Sequence, residues 1–358
     1  MAFPSPLTTI DTVTFEKDGT VSEVEPPPYP EGGFGWVVVV ACFFIHFAFY
    51  GFIQAWGVYQ SAYANTVFPG QISPTVLSLV GTLQPGLRNL LAVVTGVMAT
   101  IFGFRLMILI GTILSCLGLL LASFVTNPFL LIPTQGILVG IGGALIFTPI
   151  LSAPSHWFLK RRGLVAGAAI SGSGIGGLMW APLTEKLISG LGIPWSLRIQ
   201  AIILFVVGII TSFLVQPRLP MVRDSLFSRD TLKGTRKPAF VFLSIVIFMF
   251  FLADFIPLFL ISAFAIENGA TPADGAVAVA LINATQAIAR LVFGSMADWI
   301  GCANALIISM FMSSLVCFVI WIPATTYPVL LVFACTFGLF SGGAMTVAVA
   351  IIPEIYGE

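Results

Sequence analysis

The chain has 358 residues, of which 58% are hydrophobic and 8% charged, with zero formal net charge and a mean hydropathy of +1.04. A soluble domain carries about 25% charged residues, and even a large one leaves much of its surface in water, so this composition excludes a water-soluble fold. The balanced charge gives no indication of a nucleic-acid partner.

The N-terminal segment is polar and rich in proline, and it ends in Glu25-Pro26-Pro27-Pro28-Tyr29-Pro30. It has neither the basic start nor the apolar stretch of a secretory signal. We expect residues 1–30 to form a disordered cytosolic tail, and we expect no cleavable signal peptide.

Ten later stretches are long and apolar enough to cross a bilayer as helices, which takes about 20 residues each. We predict an all-α membrane protein whose spans lie at Trp36–Gln60, Pro74–Met98, Phe104–Phe124, Phe129–Ser152, Gly163–Leu183, Leu197–Val215, Ala239–Ala263, Gly275–Ala297, Ala303–Ile322 and Pro328–Ile352. A cytosolic N-terminus places eleven of the fifteen Lys and Arg residues on the cytosolic side, as the positive-inside rule requires. We expect a multi-pass protein of the plasma membrane rather than of an internal membrane.

The longest cytosolic loop divides the spans into two groups. Residues 216–238 hold six basic and two acidic side chains, with six spans before them and four after them. We predict a six-span N-terminal bundle at 31–215, a cytosolic linker at 216–238 and a four-span C-terminal bundle at 239–358.

Glycine landmarks of the first group recur in the second. Gly96-x6-Gly103 returns as Gly294-x6-Gly301, and Gly140 returns as Gly338, each 198 residues later. Such a repeat indicates two related halves. The second half would then lack the counterparts of spans five and six, so we expect a chain that is truncated relative to a twelve-span architecture.

Two motifs lie where the chain enters the first and the fifth span. Glu31, Gly32, Gly33, Gly35 and Trp36 belong to the first, Pro30-Glu31-Gly32-Gly33-Phe34-Gly35-Trp36. The second is His156-Trp157-Phe158-Leu159-Lys160-Arg161-Arg162-Gly163-Leu164-Val165-Ala166-Gly167. Together they resemble the signatures of the monocarboxylate porter family within the major facilitator superfamily, and Gly192-x2-Trp195-x-Leu197-Arg198 before the sixth span is similar to the fungal type of that family. The resemblance implies the major facilitator fold and secondary transport by alternating access.

Charged residues at the cytosolic helix ends have two possible roles. Lys160, Arg161 and Arg162 meet anionic headgroups and fix the topology, or they form gating contacts between the two halves. The second-half copy of the facilitator motif Gly-x3-Asp-Arg-x-Gly keeps Asp298, whereas Thr100 and Ile101 replace the acid–base pair in the first-half copy. We expect the charge latch between the halves to be weak on the N-terminal side.

Four ionisable groups fall inside predicted spans, where they are costly and mark functional sites. They are His46, Arg88, Asp254 and Arg290. By the resemblance, Arg290 corresponds to an arginine that binds the substrate carboxylate. A structural pair with Asp254 is the alternative for Arg290, and a packed histidine is the alternative for His46.

Two glutamines stand where proton-coupled members of the resembled family carry ionisable groups. Gln54 replaces a lysine and Gln286 an aspartate, which argues against proton–lactate symport. We predict a substrate site formed by Gln54, Arg88, Asp254, Gln286 and Arg290.

Other site chemistries find little support in the sequence. Gly172-x-Gly174-x2-Gly177 matches a dinucleotide fingerprint, but it lies inside a predicted span of small residues and follows no strand. The scattered cysteines and two histidines give no metal spacing. We expect no metal, no cofactor and no catalytic residues.

The functional prediction is a carrier of a small organic anion or amphipathic metabolite, with a small-molecule substrate and the lipid bilayer as its partners. Export of a secondary metabolite fits the resemblance to fungal members. The alternatives are a non-transporting membrane sensor or inactive truncated carrier, and an integral membrane enzyme. The sequence indicates neither the direction of transport nor the oligomeric state.

Overall fold

The computed structural model describes residues 13–15, 21–23, 30–218 and 238–356. Two strands, β1 (Val13–Phe15) and β2 (Val21–Glu23), pair antiparallel. Both strands fall within the predicted N-terminal tail, residues 1–30. The other residues of that tail up to Tyr29 lie outside the described residues, as do residues 219–237 of the predicted linker.

Long helices account for most of the described residues. They are α1 (Phe34–Gln60), α2 (Pro74–Phe102), α3 (Phe104–Ala122), α4 (Pro128–His156), the run Arg162–Leu214, α7 (Pro238–Glu267), α8 (Pro272–Ile300), α9 (Cys302–Trp321) and α10 (Tyr327–Tyr356). In the described ranges, eight of these runs are long and apolar enough to cross a membrane, while α7 contains a shorter apolar stretch, Val241–Phe250.

The 53-residue run Arg162–Leu214 is two helices joined at Gly192. Gly192 has φ 81° and ψ 165°, which is far from helical values and which glycine adopts without a steric penalty. We label the part at 162–191 α5 and the part at 193–214 α6. The described chain then contains ten long helices, in the order and at the places that the sequence predicts.

Helix α5 is packed between α1 and α8 through its small residues. A Cβ atom at Gly176 would lie 2.5 Å from the carbonyl oxygen of Phe47 in α1, and one at Gly174 would lie 2.7 Å from the carbonyl oxygen of Asn283 in α8. Gly167 approaches the backbone of Arg290 in the same way. The glycine-rich stretch therefore serves close helix packing, and it lies within a helix, not in a strand-to-helix turn.

The repeated glycines occupy equivalent positions in the two halves. Gly103 joins α2 to α3 with φ 79° and ψ 156°, and Gly301 joins α8 to α9 with φ 86° and ψ 148°. Gly140 packs against α2 and Gly338 against α8. The sequence repeat thus corresponds to a repeated helix arrangement.

The buried apolar residues form separate clusters along the chain. The largest joins residues between Val38 and Val215, while two smaller ones, among the described residues, lie between Leu258 and Phe337 and between Ala289 and Ile351. This separation agrees with two helical bundles. The division into six and four helices stays a prediction.

Candidate functional site

A cavity lies between α1, α2, α4 and α5 on one side and α7, α8 and α10 on the other. All five residues that the sequence predicts as a binding site line this cavity: Gln54, Arg88, Asp254, Gln286 and Arg290. His46, which had two possible roles, lines it as well. The ionisable groups of four different helices therefore meet in one place.

Arg290 is a buried cation whose hydrogen-bond partners are neutral groups. Its side chain is 2% exposed. Nη1 donates to the carbonyl oxygen of Ile170 (3.1 Å) and to the Ser173 hydroxyl (2.7 Å), and Nη2 donates to Oε1 of Gln286 (3.3 Å). Nε is buried without a hydrogen-bond partner. The guanidinium is thus fixed in position while keeping an unused donor.

Asp254 is the one acidic side chain among the described residues that line the cavity. Its Oδ1 atom is buried without a hydrogen-bond partner, and its charge attracts that of Arg290. Gln286, which accepts from Arg290, donates through Nε2 to the Ser341 hydroxyl at 3.0 Å. The geometry brings Asp254 and Arg290 into one electrostatic system, so the structural-pair alternative stays open.

Arg88 occupies an aromatic corner on the opposite wall. Its guanidinium carbon lies 4.6 Å from the ring centroid of Phe147 and 5.2 Å from that of Tyr50. The side chain is 7% exposed, and Nε donates to Oδ1 of Asn89 at 3.3 Å. Cation–π attraction replaces part of the hydration that this charge has lost.

His46 and Gln54 belong to the face of α1 that lines the cavity. His46 Nδ1 lies 2.7 Å from the carbonyl oxygen of Cys42, and because a carbonyl only accepts, Nδ1 carries the proton. His46 Nε2 is buried without a partner. Gln54 Nε2 donates to Oδ1 of Asn283 in α8 at 3.2 Å, which links the two halves.

Several cavity residues are absent from the sequence-predicted site. The rings of Tyr50 and Phe147 contact the Arg88 guanidinium. Ser173 accepts a hydrogen bond from Arg290, and Ser341 accepts one from Gln286. The sequence contained one signal that could have identified Tyr50. It lies four residues from both His46 and Gln54, and residues at this spacing share one helix face.

Asp298 joins α8 to the first turn of α5. Its Oδ1 accepts from the backbone nitrogen of Gly163 (2.8 Å) and its Oδ2 from that of Leu164 (3.0 Å). A carboxylate at a helix N-terminus satisfies free N–H groups and the helix dipole. Lys160 and Arg161 are exposed beside it. We call this end of the molecule the Asp298 end.

The two sequence motifs pack against each other at the Asp298 end. Oε1 of Glu31 accepts from the backbone nitrogens of Leu159 (2.8 Å) and Lys160 (2.7 Å). A Cβ atom at Gly35 would lie 2.8 Å from Phe158 and from Trp157. The first motif therefore needs glycine where the aromatic residues of the second motif cover it.

A family model described as Major Facilitator Superfamily matches residues 36–358. "MFS-type transporter 1" of Ophiocordyceps sp. (strain BCC 1869) is 31% identical over 336 residues, covering 94% of this chain and 75% of that protein. "Fujikurins efflux protein" of Gibberella fujikuroi is 29% identical over 334 residues, covering 91% of this chain and 72% of that protein.

Among solved structures, the proton:xylose symporter XylE superposes with a TM-score of 0.61 at 12% identity, covering 88% of this chain and 81% of that one. At this identity the likeness concerns the fold alone. It agrees with the helical architecture described above.

Proposed function

Because the chain belongs to the major facilitator superfamily, we propose that it is a secondary transporter that carries a small organic anion by alternating access. The observation that supports this most is Arg290, a buried cation in the cavity whose hydrogen bonds to the described residues go to neutral groups. With Arg88, two cations face one carboxylate, Asp254, among the described lining residues. An organic anion would supply the missing negative charge.

The proposal includes membership of the monocarboxylate porter branch. The contact between the two motifs supports it, since Glu31 and Gly35 have structural roles that depend on the second motif. Gln54 and Gln286 lie in the cavity but carry no proton that transport would move. Their presence favours anion transport that does not use the proton-coupling groups of that branch.

Alternating access requires the contacts at one end of the cavity to break and reform. At the Asp298 end, the hydrogen bonds of Asp298 to Gly163 and Leu164 connect the halves. We propose that these bonds hold this end closed, with Lys160, Arg161 and Arg162 as neighbouring gating or topology residues.

Relatives with "efflux protein" in their names, for fujikurins and for agnestins, support export of a secondary metabolite. This extends the proposal to direction and substrate origin. It treats the chain as a carrier and not as an enzyme, and as a protein of the plasma membrane.

Flux measurements test the transport proposal. The purified chain in liposomes should accelerate exchange of labelled organic carboxylates above the leak of protein-free liposomes, and unlabelled carboxylate on the far side should stimulate it further. An uncharged sugar is the control and should show no acceleration. Exchange of none of the carboxylates would contradict the proposal and favour the sensor or inactive-carrier alternative.

The orientation is a separate prediction that rests on the distribution of basic residues. In a variant without the native cysteines, Ser5→Cys and Ser228→Cys should react with a membrane-impermeant maleimide only after the cells are permeabilised. Labelling of either position in intact cells would contradict a cytosolic N-terminus and linker.

A further inference from the structure

We propose that the cavity binds an aromatic carboxylate bearing a hydroxyl group, with the carboxylate at Arg290 and the ring at Arg88. This inference deepens the proposed anion transport and rests on it. It follows from three features of the cavity: its two unlike walls, the unused donor of Arg290 and the tautomer of His46.

The two walls of the cavity differ in chemistry. On the wall formed by α8 and α10, the cavity presents the polar groups of Gln286, Arg290 and Ser341. The wall formed by α1, α2 and α4 also has polar groups, those of His46, Gln54 and Arg88, but it carries the aromatic rings of the cavity lining, Tyr50, Trp56 and Phe147. A ligand that contacts both walls therefore needs a polar, anionic end and a flat, polarisable end.

The position of the anionic end follows from the hydrogen bonds of Arg290. Nη1 is occupied by Ile170 and Ser173, whereas Nη2 has two longer contacts, to Oε1 of Gln286 at 3.3 Å and to the Met345 sulfur at 3.8 Å. Nε, buried in a side chain that is 2% exposed, has no partner. A carboxylate binds a guanidinium through two parallel N–H groups, and the Nε edge of Arg290 offers such a site.

The flat end fits the guanidinium of Arg88. Phe147 and Tyr50 contact this group with their rings, at 4.6 and 5.2 Å, and all three residues line the cavity. A guanidinium is planar and weakly hydrated, so it stacks on aromatic rings. A planar ligand ring would extend this stack, whereas a puckered saturated ring of the same size would not.

His46 is the group that a hydroxyl on the ligand would bind. Because Nδ1 donates to the carbonyl oxygen of Cys42, Nε2 presents a lone pair. This atom is buried without a partner in a residue that lines the cavity. A hydroxyl on the ligand ring would donate to it. A site with a buried acceptor binds a ligand that donates to it much more tightly than an analogue without the donor.

The test is equilibrium binding of radiolabelled benzoate to the purified full chain near neutral pH, where carboxylic acids are ionised. Unlabelled benzoate, cyclohexanecarboxylate and the three hydroxybenzoates serve as competitors. Benzoate should bind about tenfold more tightly than cyclohexanecarboxylate, and one hydroxybenzoate isomer should bind about tenfold more tightly than benzoate. Equal affinities for benzoate and cyclohexanecarboxylate would overturn the ring site, and no gain for any isomer would overturn the role of His46.

Substitutions of single residues test which side chains produce the preference for an aromatic ring and the preference for a hydroxyl group. Arg88→Lys keeps the charge but removes the planar group, and it should reduce the preference for benzoate over cyclohexanecarboxylate to about twofold or less. His46→Leu should abolish only the hydroxybenzoate advantage. The matched control is Arg105→Lys. The Arg105 guanidinium carbon lies 4.0 Å from the centroid of the Phe213 ring, and neither residue lines the cavity. Arg105→Lys should leave both preferences unchanged.

The outcomes separate this inference from the transport proposal. If both carboxylates bind alike and transport proceeds, the aromatic site is wrong and anion transport stands. If neither carboxylate binds and no organic anion is exchanged in liposomes, both proposals are wrong. An Arg88→Lys protein that keeps the full ring preference would overturn the assignment to Arg88. Size-exclusion profiles matching the Arg105→Lys protein show that each variant is folded.

Discussion

Replacing Arg290 with glutamine should lower carboxylate exchange by about 100-fold or more. The change removes the charge that holds the anion, and each hydrogen bond to a charged group contributes about 1.5–3 kcal/mol, where 1.4 kcal/mol is tenfold in affinity. The same change leaves Asp254 as an uncompensated buried carboxylate, which is strongly destabilising. The measurement is exchange in liposomes at equal amounts of reconstituted protein.

A double variant separates the two roles of Arg290. If Arg290 holds the ligand, adding Asp254→Asn to Arg290→Gln should restore the protein yield but not the exchange. If Arg290 only neutralises Asp254, the double variant should recover both. Arg198→Gln is the control, since Arg198 bonds to Ser123 and stacks on Phe124 outside the cavity. An Arg290→Gln protein with wild-type yield and exchange would contradict both roles.

Replacing Gly167 with valine should prevent the chain from folding. A Cβ atom at Gly167 would overlap the carbonyl oxygen of Arg290 in α8 and would lie 3.4 Å from the Thr346 methyl group in α10, which leaves little room for the two methyl groups of valine. Overpacking against a side chain costs about 1–3 kcal/mol, and a backbone carbonyl in a helix gives way less readily. We expect a loss of monodisperse protein on size exclusion, because α5 and α8 are forced apart where Arg290 is positioned.

The control for Gly167→Val is a glycine of α5 that has open space. A Cβ atom at Gly190 would meet nothing within 4 Å, so Gly190→Ala should fold normally and gain up to about 1 kcal/mol from its helix propensity. The thermal unfolding midpoint measures both changes. A Gly167→Val protein that unfolds at the wild-type temperature would show that α5 and α8 are not in this close contact.

The five predicted site residues meet in the cavity because each is polar or ionisable within an apolar span. Burial of ionisable groups is costly, so the sequence alone marks Arg88, Asp254 and Arg290, whereas Gln54 and Gln286 were identified through the family resemblance. Tyr50 and Phe147 carry no comparable mark, since the chain has 32 phenylalanines and aromatic residues occur on lipid-facing and buried surfaces alike. Which of them stack on Arg88 depends on packing between α1, α2 and α4.

Helix ends were harder to predict than helix positions. The fifth span was expected to end at Leu183, yet the helix continues through Glu185 and Lys186 to Gly192. Apolar runs end where lipid ends, whereas helices end where backbone hydrogen bonds stop. The contact of Glu31 with Leu159 and Lys160 also escaped prediction, because neither motif contains information on which distant segment covers it.

The glycine joints at Gly103 and Gly301 bear on how the Asp298 end would open in the proposed carrier. Each joint is a single residue between two helices, and Phe104, next to the first joint, contacts His156 at this end. A connection of one residue cannot swing aside as a flap within nanoseconds, as surface loops do. In the proposed alternating-access cycle, helices joined in this way would tilt together as hairpins, and such collective motions take microseconds to milliseconds.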